Sequence, residues 1–80
     1  MNFSYEVLGR TIRTIRKEKG VTQEVLSGLA GVARTHLTMI ERGTIHPNIE
    51  TVWRIALALE CLPSELFARV EREIKKGEEG

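Results

Sequence analysis

Aspartate is absent from this chain, cysteine occurs once and histidine twice. That inventory offers no metal-ligand spacing and no nucleophile–base pattern, and so argues against an enzyme, a metal site or a cofactor. Cys61 has no partner within the chain for a disulfide, and its setting between Leu59 and Leu62 is that of a structural thiol. Long apolar runs are also missing. The longest stretch without a charge, Val25 to Ala33, is far shorter than the ~18 apolar residues of a membrane helix. Glu6 stands where a secretory leader would be basic and no apolar segment follows it, so the expected location is the cytoplasm.

What is present suits one small domain. Of the 80 residues, 41% are hydrophobic and 29% charged, enough apolar surface to offset chain entropy. A chain of this size buries only about 60 to 65% of its unfolded surface, so self-association would help a thin core. The net charge of +1 hides an asymmetry: residues 1–46 carry +3 and residues 47–80 carry −2. A basic first half fits a polyanion-binding face, with the second half free for another duty.

Helical spacing recurs along the sequence and strand alternation does not. Tyr5, Leu8, Ile12 and Ile15 form one stripe that Gly20 stops. Thr22 is suited to cap a short second helix containing Val25, Leu26, Leu29 and Ala30, ended by Gly31. A third run from Ala33 places Leu37 and Ile40 on one side before Gly43. A fourth, capped by Asn48 after Pro47, buries Val52, Ile55, Ala56 and Leu59. Pro63 opens a fifth, whose stripe of Leu66, Phe67, Val70 and Ile74 runs to Lys76 ahead of a frayed tail, 77–80. Trp53 fits either the core or the rim of a dimer. The expected fold is all-α, a five-helix bundle over residues 1–76.

The second and third helices, joined by a tight turn at Gly31 and Val32, cross steeply and leave one face of the third exposed. On a wheel of about 100° per residue, Leu37 and Ile40 face inward while Arg34, Thr35, Thr38, Met39 and Arg42 share the opposite arc. Such a short, polar, basic helix fits a major groove about 12 Å wide, and its side chains are of the kinds that read base edges.

These residues resemble a known family. The run T-Q-E-V-L-S-G-L-A-G-V-A-R-T-H-L-T-M-I-E-R-G, followed by P-N-I-E-T-V and I-A-L-A-L, is similar to the lambda-repressor-like helix-turn-helix of lambda and 434 Cro and repressor proteins, the XRE-like family. The likeness covers residues 8 to 67, and the small size and the R-T-H-L-T-M-I-E-R-G stretch are also similar to restriction-modification controller proteins. It implies a sequence-specific regulator of transcription that binds double-stranded DNA as a homodimer, on a pseudo-palindromic operator, and occludes or recruits RNA polymerase.

Residue by residue, the resemblance implies base reading by Arg34, Thr35, Thr38 and Met39. Arg34 is the strongest candidate because a guanidinium can bond guanine O6 and N7 together. It implies phosphate contacts from Gln23 at the start of the second helix, from Arg42, and from the loop residues Thr44 and His46. His36, at the side of the recognition helix, is assigned to a phosphate as well. The family also pairs a first-helix arginine with a third-helix glutamate, here Arg16 and Glu41, in a structural role. Leu62, Pro63, Phe67, Val70 and Ile74 are the expected dimer interface, with 63–76 as the dimerisation helix. The sequence departs from the family at Ala33, Glu60 and Leu62, where a capping Ser or Thr, a helix-ending Gly and a capping Ser are usual. The alternative reading is a protein-interaction module such as an antitoxin component.

Overall fold

Helix ends in this chain are set by short polar caps and left-handed residues, and five helices result. The computed structural model describes residues 1–79. In order they are α1 (Tyr5–Glu18), α2 (Gln23–Ala30), α3 (Arg34–Arg42), α4 (Ile49–Ala58) and α5 (Pro63–Glu79). Oxygens of Ser4, Thr22 and Asn48 accept the N–H groups of Val7, Val25 and Thr51 at 3.1, 3.1 and 2.8 Å. Each satisfies one of the donors a helix start leaves free. Gly31 and Gly43 end α2 and α3 in the left-handed region.

Three ends lack the usual residue. Ala33 gives α3 no side-chain cap. At α5, the Leu62 N–H is taken by the Glu65 carboxylate at 2.8 Å, the half of a capping box that survives without a capping side chain at Leu62. After α4, Glu60 is held at φ 57°, where a side chain costs roughly 1–2 kcal/mol. Its N–H and that of Cys61 close the end of α4 on the Leu57 and Ala56 carbonyls, which holds it there. Glu60→Gly is expected to stabilise the protein by about 1 kcal/mol, raising Tm by roughly 4–8 °C in a thermal melt. An unchanged Tm would mean that Glu60 carries no strain.

The core draws on every helix: Leu8, Ile12 and Ile15 from α1, Leu26 and Ala30 from α2, Leu37 and Ile40 from α3, Val52, Ile55 and Ala56 from α4, and Leu66 and Val70 from α5, with Leu59 at the end of α4. α1 packs against both α3 and α5, while α2 packs against α3 and α4. The α1–α3 crossing is close because Gly9 is buried in it. A Cβ at Gly9 would run into the Ile40 carbonyl oxygen and lie 2.8 Å from that of Glu41. At the far end of α3, Gly43 sits at φ 73° and a Cβ there would lie 2.8 Å from the Glu6 Cα, so both φ and space exclude a side chain. On the outer face of α1 and α5, the Arg69 guanidinium donates to both oxygens of Glu18 at 2.8 and 2.6 Å and holds that carboxyl below its usual range.

Several expectations need correction. α5 continues through Gly77 to Glu79 instead of ending at Lys76; Gly80, the last residue of the expected tail, lies outside the described residues. In α2, only Leu26 and Ala30 reach the core, while Val25 and Leu29 are exposed. Of the two placements open to Trp53 the core is excluded: it is 53% exposed, because it sits two residues, about 200° round the wheel, from the inward-facing Ile55.

Candidate nucleic-acid interface

α3 is fixed in place by a polar network on its inner edge. The Arg16 guanidinium on α1 donates to Glu41 on α3 through Nε at 2.8 Å and through a terminal nitrogen at 3.0 Å, and its other terminal nitrogen donates to the Val21 carbonyl at 2.9 Å. Both side chains are buried. Glu41 takes a further bond from the Gln23 amide at 3.0 Å, and the Gln23 oxygen lies 3.1 Å from the Thr38 hydroxyl. One chain of bonds thus joins α1, α2 and α3, in the two-oxygen, planar geometry that suits arginine with carboxylate. Among the described residues no buried side-chain polar atom lacks a partner.

The outer arc of α3 points away from this network. Arg34 and Thr35 are exposed, as is Met39, while Thr38 and His36 are half-buried. The Thr38 hydroxyl has a second acceptor, the Arg34 carbonyl at 3.0 Å. Arg42 is exposed at the end of the helix. In the following loop the Thr44 hydroxyl donates to the Met39 carbonyl at 3.1 Å. The His46 ring lies flat on Tyr5, with centroids 3.9 Å apart and planes 8° from parallel.

Beside α3 lies a cleft of about 630 Å³, lined by Arg13, Arg16, Lys17, Thr22, Gln23, Arg34, Thr38, Glu41 and Arg42. It brings together Gln23, Arg34, Thr38 and Arg42 over the Arg16–Glu41 pair. Thr35, His36, Met39, Thr44 and His46 lie outside its lining. Arg13 and Lys17 belong to it although the sequence reading gave them no role. The signal available was their spacing of four residues, which stacks them on one face of α1.

The expected interface on α5 is overturned in part. Val70 is 2% exposed, a member of this chain's own core, and is unavailable to a second copy. Phe67 and Ile74 are half-buried against the same core, and Phe3 lies against Phe67 with ring centroids 6.4 Å apart. Pro63 is half-buried. The large apolar side chains left in the open include Ile49, Trp53 and Leu57 on α4, with Leu62 after it.

Burial, reinforced by Glu65, pushes the Cys61 thiol up, which disfavours a reactive thiolate. Among the described residues no three His, Cys or Glu side chains gather as a metal would require, and no helix is long and apolar enough to cross a membrane.

Comparison with known proteins points one way. A family model described as helix-turn-helix matches residues 12–66. The wild-type restriction-modification controller protein C.Esp1396I is 32% identical and superposes with a TM-score of 0.86, over 95% of this chain and 99% of that one. The restriction-modification controller protein C.AhdI from Aeromonas hydrophila is also 32% identical, with a TM-score of 0.75 over 78% of this chain and 94% of that one. Repressor protein C2 of Salmonella phage P22 is 31% identical over 62 residues, 78% of this chain and 29% of the repressor's own length.

Proposed function

This chain belongs to the helix-turn-helix family of XRE/Cro/C1-type DNA-binding regulators, and on that premise we propose that it is a sequence-specific regulator of transcription whose α3 enters the major groove of duplex DNA. The relatives are transcriptional regulators and repressors rather than enzymes. The observation that carries the reading is the outer arc of α3: Arg34, Thr35 and Met39 stand in solvent while Leu37, Ile40 and Glu41 anchor the opposite side. Arg34, Thr35, Thr38 and Met39 read bases; Gln23, His36, Arg42, Thr44 and His46 hold phosphates and fix the register.

The protein acts as a homodimer. Ile49, Trp53 and Leu57 repeat at four-residue steps on the outside of α4, so a two-fold axis through Trp53 sets Ile49 of one copy against Leu57 of the other. Leu62 extends that patch, and such a self-matching apolar stripe is what an isologous contact needs. Two recognition helices about 34 Å apart would then require half-sites ~10 bp centre to centre. Bound at a promoter, the dimer occludes or recruits RNA polymerase.

Selection of bound sites from a pool of random duplexes tests this. The expected product is a pseudo-palindrome with that spacing. Arg34→Ala is expected to cost about 1–3 kcal/mol and to relax selection at one base pair per half-site. Equal losses on every sequence would make Arg34 a phosphate contact, and recovery of no preferred sequence would overturn the reading.

A further inference from the structure

The cleft beside α3 holds more positive charge than the fold needs. Arg16 is neutralised by Glu41, but Arg13, Lys17, Arg34 and Arg42, lining the same cleft, form no ion pair among the described residues. Arg13 and Lys17 stack one turn apart on α1, an arrangement of like charges that weakens a helix. The helix dipole favours Lys17, which lies in the last turn, but not Arg13, which lies before it. Gln23, beside them at the start of α2, donates one amide hydrogen to Glu41 and accepts from Thr38, which leaves one uncharged N–H for a phosphate. The charged donors left free on the α1 side of the cleft are the Arg13 guanidinium and the Lys17 ammonium, both exposed.

We infer that Arg13 and Lys17 form a phosphate clamp on α1, holding the DNA backbone on the cleft side of α3. This rests on the duplex-binding reading above and adds a third helix to the DNA surface. A clamp of this kind grips every sequence alike, because phosphates carry no base identity, and its signature is release of counterions. Each neutralised phosphate adds about 0.9 to the slope of log affinity against log salt.

The test compares Arg13→Ala/Lys17→Ala with Arg72→Ala/Lys75→Ala, which removes the same charge from exposed positions of α5. Binding is measured on a mixed-sequence duplex between 50 and 200 mM salt, and also on a duplex selected from the random pool. The α1 variant is expected to flatten the slope by about 1.8, so that the affinity lost over that range shrinks roughly tenfold. Its preference for the selected duplex should stay as in the wild type, and Arg13→Lys/Lys17→Arg should restore the slope. The α5 variant should leave the slope unchanged. A wild-type slope in the α1 variant, equal flattening by both variants, or a lost preference would each overturn the clamp while leaving duplex binding intact. A wild-type protein that binds no duplex would overturn both readings.

Discussion

Gly9→Ala should destabilise this protein more than any other single-methyl change. The added carbon would meet the Ile40 and Glu41 carbonyl oxygens, which are main-chain atoms inside a helix and cannot swing aside as a side-chain tip would. Overpacking of a core costs typically ~1–3 kcal/mol, and the expected loss here is about 3 kcal/mol or more. Relief would come only by pushing α3 off α1, so the folded fraction should also bind DNA less tightly. Gly28→Ala is the control: nothing lies within 4 Å of its Cβ position, and a mid-helix alanine is expected to gain about 0.5–1 kcal/mol. Urea unfolding of both variants checks the pair. Losses under about 1 kcal/mol for Gly9→Ala would mean that the α1–α3 crossing is loose.

Breaking the Arg16–Glu41 pair is the second large effect. Either single alanine substitution strands a buried charge, which costs about 3–5 kcal/mol. An 80-residue chain has only roughly 4–12 kcal/mol in all, so either variant is expected to be partly unfolded at 37 °C. Arg16→Met with Glu41→Leu removes both charges and should recover much of the stability. Its DNA affinity should nonetheless stay low, since Gln23 and Thr38 lose the anchor that orients them. Full affinity in a stable Arg16→Ala variant would show that the pair does not position α3.

The stripes of α1, α3 and α4 were readable because helical periodicity and burial are the same physics, as were the caps at Thr22 and Asn48, while α2 showed its extent but only half of its inward face. Gly9 was not: a glycine inside a helical pattern signals only a cost until the helix that crosses it is known. Trp53 stood open between core and rim, although its offset from Ile55 on the wheel already set it apart from the inward face. The stripe on α5 was legible but its partner was not. One helix's pattern cannot say whether Val70 meets its own core or another copy. Gln23 presents the same difficulty in the site, because its engagement depends on Glu41 and Thr38, 18 and 15 residues away.

The orientation of the Thr38 hydroxyl has a consequence for which letters of a sequence it can favour. Its single hydrogen is directed to the Gln23 oxygen or the Arg34 carbonyl, so toward a groove it offers a lone pair and a methyl group. On the proposed reading, that pairs with the amino edge of cytosine or adenine or with the methyl of thymine, and it leaves guanine, whose groove edge only accepts, as the base Thr38 discriminates against.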